Sequence, residues 1–424
     1  MTPSLSATVL IPLIVAAVAI LIVARWYELR RLDDPFVAGF WWFTGFWIVG
    51  AGLNSFFPKA PPVSGFALAL LFAAYVAFVA AGILVAWRVR PRLGPAWTER
   101  YAQLAPVELL DQRRLVLLGA TLVAGLAAFA LLRLAMGGTP DVGSGVEQGR
   151  IDSRAGLGTL VLGSIWLLTI PGLAIFADAM RRGRTHQAAA VVLLLAVGLL
   201  VAVIGSRGPV AKLLLGAVFL AFAARGRLPR WSILVAIGAA GVLALGATAA
   251  LRSDWGFSAD GALFRLFWQL HVNTTNLARL VDFIPGTHPY LLGGSYVTDL
   301  SVVLPGPSLN FGAWLKDALG LEFSGGGLTV GLVGESYANF GPIVAVASCA
   351  LAGGLLPLVR GYLRIRDGLD VAVATLLAIA LAGIVQTGIA SVLLYNVIPL
   401  LAVYLVLRTL DARWPSRYGG AVRA

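Results

Sequence analysis

Residues 65–87 read GFALALLFAAYVAFVAAGILVAW, and RVRPR follows at once at 88–92. The first run carries no charge and exceeds the roughly 20 apolar residues an α-helix needs to cross a hydrocarbon core. The second closes it with Arg88, Arg90 and Arg92, the basic flank expected on the cytoplasmic side of a membrane. A helix that enters lipid and stops at a cluster of arginines is therefore the unit from which the rest of the chain is read.

That unit recurs. Apolar stretches of spanning length lie at Leu5–Ala24, Phe36–Phe56, Gly65–Trp87, Leu115–Met136, Thr159–Ala179, Ala188–Ile204, Pro209–Ala224, Trp231–Leu251, Ala338–Leu358, Asp370–Gln386 and Ser391–Leu407. The expected fold is all-α: a polytopic membrane helix bundle of about eleven transmembrane helices. Residues 1–424 form one transmembrane domain, with a large loop at 252–337 inside it. Composition agrees, with 59% hydrophobic and 12% charged residues. That charge is about half of what soluble domains carry, so lipid must cover the apolar surface. The apolar start, Leu10 to Val23, has no basic residue before it and reads as a first helix that stays, not as a cleaved signal.

The net charge of +12 raises the possibility of nucleic acid. The charges fall in short runs between apolar stretches and not on one basic face, which argues against such a partner. Alternate loops hold roughly 22 of the basic residues, around Arg25–Arg31, Arg88–Arg114, Arg181–Arg184, Arg225–Arg230, Arg360–Arg366 and the tail from Arg408. These loops are expected inside, with the N-terminus outside and the C-terminus cytoplasmic. Cys349 is the single cysteine, so no intrachain disulfide or thiolate cluster can form. His186, His271 and His288 lack the spacing of a metal site. No Walker motif or GxSxG is present.

The opposite face carries the candidate chemistry. In Gly205–Ser206–Arg207–Gly208–Pro209, Arg207 sits in a short turn at the membrane boundary. Its guanidinium suits a phosphate, although an arginine there can also snorkel to lipid phosphates. In the long loop, Asp260 can cap a helix from Gly261 to Phe283, and a second short helix is expected around Phe311–Leu319. On the first helix Arg265, Asn276 and Arg279 fall within roughly 60° of one another. Such a stripe fits an anionic, sugar-bearing ligand; the alternative is a solvated face of a helix lying on the bilayer. Next, Gly334–Glu335–Ser336–Tyr337–Ala338–Asn339–Phe340–Gly341 enters the ninth span. Glu335 is either a carboxylate favoured at a helix start or a general base whose burial raises its pKa. Asp299 and His271 are rivals for that role, and the three stay unranked. Asp178 beside Arg181 and Arg182 reads as a structural ion pair, while Gln386 and Asn396 can bridge the last two spans.

The Ser-Arg-Gly turn, the arginine-bearing outer loop and the Gly-Glu-Ser-Tyr-Ala-Asn-Phe-Gly entry resemble Wzy-type oligosaccharide repeat-unit polymerases, from about Leu160 to Leu407. O-antigen ligases of the WaaL type share the layout and a similar turn. The resemblance implies a GT-C-like glycosyltransferase in the bacterial inner (plasma) membrane. It would act at the periplasmic face on undecaprenyl-diphosphate-linked oligosaccharide, in O-antigen or exopolysaccharide synthesis, with no cofactor and no metal. Membrane lipids and a chain-length regulator protein would be its other partners. By motif, Arg207 takes the place of the family's arginine and Glu335 that of its acid. Arg265 and Arg279 are arginines in the corresponding loop, and Asn276 and Tyr337 join them as substrate-binding residues. Glu335, His271 or Asp299 would orient or deprotonate the acceptor hydroxyl. A ligase that moves glycan to another acceptor, and a flippase or transporter, are the competing functions.

Overall fold

A computed structural model describes residues 7–53, 63–106, 108–135, 157–203, 207–236, 259–304, 309–322 and 327–413, with backbone alone at 7–9, 203, 207 and 259–270. Every regular element among them is helical. The helices are α1 (Ala7–Ala24), α2 (Pro35–Leu53), α3 (Gly65–Arg92), α4 (Pro95–Ala102), α5 (Gln112–Ala135), α6 (Gly158–Ala179), α7 (Arg184–Val203) and α8 (Arg207–Ala223). The later ones are α9 (Ala259–Phe283), α10 (Gly294–Ser301), α11 (Phe311–Ala318), α12 (Gly331–Phe340), α13 (Pro342–Tyr362), α14 (Gly368–Thr387) and α15 (Ile389–Arg413).

Eight of these, α2, α3, α5, α6, α7, α13, α14 and α15, are long and apolar enough to cross a membrane, and α1 and α8 are shorter apolar helices. The chain is thus a multi-pass helical membrane protein. Of the expected span 231–251, residues 231–236 are helical and the rest lies outside the described residues.

Local chemistry sets where the spans begin. Asp34 caps α2, its Oδ1 accepting from the Phe36 and Val37 amides, with Pro35 at the first helical position, where its missing N–H costs nothing. Asp367 caps α14 in the same way through Leu369 and Asp370, and the Ser64 hydroxyl caps α3. The helices α2, α3 and α15 each contain a π-helical segment, at Thr44–Val49, Val85–Val89 and Leu393–Val397.

Two large apolar cores result among the described residues. One joins α1, α2, α3 and α13 with the loop helices α9, α11 and α12, through residues such as Phe36, Phe43, Trp47, Phe78, Leu280 and Val333. The other joins α5, α6, α7, α8, α14 and α15, through Leu118, Leu173, Val201, Leu213, Leu376 and Leu400. Helix α14 is the most enclosed of the long helices and lies between them: it packs on α2 as well as on α6 and α8.

The two ends of the bundle differ. One end carries the basic segments, and there many arginines are neutralised. Arg360 is fully buried and donates through Nε to Asp33 Oδ2 at 2.7 Å, through Nη1 to the Arg100 carbonyl at 3.0 Å and through Nη2 to the Gln103 carbonyl. Arg31 pairs with the same Asp33. Burial pushes the Asp33 carboxyl up, but the Arg31 and Arg360 guanidiniums outweigh it and hold it below the usual carboxylate range. Asp367 and Asp370 hold Arg408 likewise. The expected Asp178 pair is present, with Arg182, and Asp178 Oδ1 also accepts from the Leu110 amide at 2.8 Å. The opposite end is covered by α9 to α12.

One boundary departs from the sequence expectation. The ninth span does not start at Ala338. Gly341 takes φ +86° and Pro342 follows, so the chain breaks there and α12 stands apart from α13. Within the outer loop, α9 and α11 match the two expected helices closely.

Because Arg360 has no exposed surface, Asp33→Ala leaves a buried cation without its carboxylate, a loss of about 3–5 kcal/mol. A clear fall in the melting temperature of the detergent-purified protein is expected, and Arg360→Met in the same background should recover part of it. An unchanged melting curve for Asp33→Ala would show that the network carries no stability.

Candidate functional site

The site forms where α10, α12 and the junction of α14 with α15 meet. Gly388 separates the last two helices at φ +93°, a region open to glycine and strained for other residues. The break frees the amides that begin α15, and a membrane interior offers them no water. Glu335, on α12 and only 2% exposed, fills that role: its Oε2 accepts from the Ile389 amide, and the Ala390 amide also favours the charged form. A Cβ on Gly388 would lie 2.6 Å from Glu335 Oε2, so the absence of a side chain there is what admits the carboxylate.

Asp299, on α10, lies beside it and is 2% exposed. Its Oδ1 accepts from the Phe311 amide at 2.8 Å and its Oδ2 from Ser391 Oγ at 2.8 Å, while its carbonyl accepts from the Tyr395 hydroxyl at 2.9 Å. Asn339, one turn beyond Glu335, donates to the Glu335 carbonyl at 2.9 Å and to Ser295 Oγ at 2.7 Å, and its Oδ1 accepts from the Gly293 amide. Two carboxylates, an amide and several hydroxyls thus share one buried place.

Burial is the main cause of the electrostatics. It pushes the Glu335 carboxyl up to about 7 against the pull of the Ile389 amide, and the neighbouring Asp299 charge pushes the same way. Asp299 is raised by burial too, against its bonds from Phe311 and Ser391. Glu335 is therefore poised to take or release a proton near neutrality. His271, with no exposed surface, is pushed by burial down to about 4. Its imidazole is neutral at pH 7 and is a weak base there.

The other expected site residues divide into three groups. Arg207 opens α8 and Arg265 lies in the first half of α9, and their side chains fall outside the described residues. So do Ser206 and most of the glycine stretch after Ser324. Arg279 is half-buried and makes no ion pair among the described residues. Asn276 and Tyr337 point inward: Asn276 Nδ2 donates to the Thr329 carbonyl at 3.1 Å, and the Tyr337 hydroxyl donates to the Ile284 carbonyl at 2.8 Å. Both tie the loop together, so the stripe expected on α9 is split between an inward and a more open face.

The Glu335–Asp299 pairing itself is not evident from sequence, nor are Ser391 and Tyr395 as members of the site, whereas Asn339 stands in the stretch that carries Glu335. The one available signal was Gly388 between two apolar runs, a mark of a break. Among the described residues no group of three or more His, Cys, Asp or Glu is placed to hold a metal ion. The sequence matches no protein-family profile, no curated protein and no solved structure.

A carboxyl whose folded pKa is raised holds its proton more tightly folded than unfolded. The stability this adds is complete below the ordinary value of 4.5 and is lost as pH rises towards about 7. The melting temperature of the wild type, relative to Glu335→Gln, should therefore fall across that window and level off above it. A difference that stays constant over the window would show an ordinary, solvated carboxyl at Glu335.

Proposed function

We propose that this chain is a Wzy-type polymerase, a membrane glycosyltransferase that extends undecaprenyl-diphosphate-linked oligosaccharide at the periplasmic face of the bacterial inner membrane. The observation that carries the reading is Glu335. It is a buried carboxylate with a pKa near 7, held against a broken membrane helix and flanked by Asp299. A general base works best when its pKa lies near the operating pH and it sits out of bulk water. An acceptor sugar hydroxyl reaching this place would give up its proton to a Glu335 oxygen. Its own oxygen would form the new bond to the anomeric carbon of the donor glycan, and the bond from that carbon to the lipid diphosphate would break. The diphosphate leaves with both electrons of that bond, and cations stabilise the charge that develops on it.

Arg207 and Arg265 are assigned to the diphosphate, with Arg279 in support. This assignment rests on the Ser-Arg-Gly turn and on the place of the loop arginines in the sequence. A guanidinium is suited to this task because its donors form a fork that fits phosphate oxygens in pairs. The Ser391 hydroxyl holds the Asp299 carboxylate, while Asn339 and Tyr395 bond the backbone carbonyls of Glu335 and Asp299. Asp299 is a positioning residue: both its oxygens are already occupied by Phe311 and Ser391, and its charge helps to keep the Glu335 pKa high. The GT-C-like architecture, the outward N-terminus and the cytoplasmic C-terminus belong to the same proposal. They are supported by the concentration of arginine at the end of the bundle opposite the site.

The test is reconstitution of the purified protein with a lipid-linked repeat unit, with the products resolved as a ladder. Wild type should lengthen the glycan on its lipid carrier. Glu335→Gln should slow this by about 10²-fold or more, and Arg207→Ala should weaken it without lowering the melting temperature. Transfer of the glycan off the carrier would mark a ligase, and a full-rate ladder from Glu335→Gln would remove Glu335 as the base.

A further inference from the structure

Lys212 differs from the paired arginines at the basic end of the bundle. At the basic end Arg360, Arg408, Arg114 and Arg182 all meet carboxylates. Lys212 lies within the apolar helix α8 and is only partly exposed. It donates to Asn396 Oδ1, a neutral amide oxygen, and it forms no ion pair among the described residues. An ammonium has three donors, so the charge and two N–H groups remain for something else. Charges at membrane depth are costly and mark ligand pathways more often than packing.

Its surroundings tie it to the site described above. Asn396 lies in the π-helical segment of α15 (Leu393–Val397), a distortion that recurs at functional positions. Asn396 Nδ2 donates to the Ser391 carbonyl at 3.3 Å, which turns its Oδ1 towards Lys212. The Ser391 hydroxyl in turn donates to Asp299 Oδ2. The chain Lys212–Asn396–Ser391–Asp299 thus runs from the cation to the carboxylates. Lys212 and Asp299 form no ion pair; they are joined only through Asn396 and Ser391. Depth agrees as well. Lys212 is five residues into α8 and Asn396 seven into α15, which puts both about 8–10 Å along helices that start at the loop-covered end. Leu214 is exposed but lies about 200° round α8 from Lys212, whereas Gly216, one turn on from Lys212, lies against Leu173 and Ile379, so the ammonium is on the face of α8 turned into the bundle.

We infer that Lys212, oriented by Asn396, is a binding residue for the diphosphate of a polyprenyl carrier lipid. The diphosphate meets the ammonium just below the site. This inference rests on the reading that the site handles lipid-diphosphate-linked glycans. It adds a contact inside the bilayer to those assigned to the turn and loop arginines.

The experiment uses the full chain in nanodiscs of zwitterionic phospholipid, with sugar-free undecaprenyl diphosphate as the probe and native mass spectrometry as the readout. Lys212→Met should weaken binding by about tenfold or more, Lys212→Arg should restore most of it, and Asn396→Leu should weaken it by a smaller factor. In the polymerisation assay, Lys212→Met should raise KM for the lipid-linked substrate more than it lowers kcat. Melting curves of the three variants show whether each is folded, and Lys212→Arg carries the test if Lys212→Met is not. Undecaprenyl diphosphate bound equally well by wild type and a folded Lys212→Met would overturn the inference and leave the polymerase reading standing. Binding without a glycan ladder would do the reverse. Two further arms identify the source of the phosphate. Competition of equal strength by phosphatidylglycerol would mean that Lys212 takes any lipid phosphate, and competition of equal strength by inorganic diphosphate would mean that no lipid chain is needed. Either result would overturn the assignment to a carrier lipid.

Discussion

A helix in lipid cannot begin without something to receive its first amides, and at Gly388 a membrane helix ends and another begins. The structure meets this constraint with a single carboxylate. Glu335 reaches the Ile389 amide from a helix that belongs to the outer loop, so the contact that satisfies the break also fixes the loop to the bundle. Around it Asn339 ties α12 to the start of α10 through Ser295 and Gly293, and Asp299 ties α10 to α11 and α15. Take away the break and Glu335 loses the amide that anchors it. Take away the carboxylate and the break has no partner. Chemistry and architecture use the same group, which explains why the site is so enclosed.

The two ends of the molecule handle charge in opposite ways. At the basic end, cations and carboxylates are paired inside the protein. Asp33 receives Arg31 and Arg360, Asp34 receives Arg90 and the Tyr101 hydroxyl, and Asp367 receives Arg408 and Arg114. Burial penalises each charge, and partners on several helices offset that penalty. At the loop-covered end the balance is left open: two buried carboxylates share a place without a cation between them among the described residues, and Lys212 stands near without an acid. Paired charge holds the helices to one another, whereas unpaired charge of both signs suits an incoming ligand that carries its own.

The spans were readable because lipid imposes a length and a composition on them, and the helices α3, α6 and α14 lie close to where the apolar runs place them. Contacts within a few residues were readable too: Asp178 and Arg182 are one helical turn apart. Distant pairings were not. Asp33 and Arg360 are 327 positions apart, and no periodicity relates them. Glu335 was visible as a candidate acid, but its helix was assigned to the wrong unit, because the apolar composition runs on through Phe340 while the backbone turns at Gly341. The sequence places Asn276 with Arg279 on one stripe of α9. The wheel gives angular neighbours correctly, yet it cannot say which side of a loop helix faces the bundle, and α9 lies against α2 and α12. Asn396 is legible as a polar residue in a span, but its partner Lys212 comes from α8 and not from the adjoining span.

The π-helical segment at Leu393–Val397 acts as a vernier between two fixed scales. On one side of it α15 is registered by the Ile389 amide on Glu335 and by the Ser391 hydroxyl on Asp299 at 2.8 Å. On the other side it is registered by Tyr404 on Asp370 and by Arg408 on Asp367. An uninterrupted α-helix advances about 100° per residue, so two anchor sets chosen for different purposes need not fall in phase along one straight helix. One residue of slack in the middle brings them into phase. The interior of α15 is therefore the place where the demands of a chemical end and a structural end are reconciled, and its length, counted in single residues, is as much a part of the site as any side chain in it.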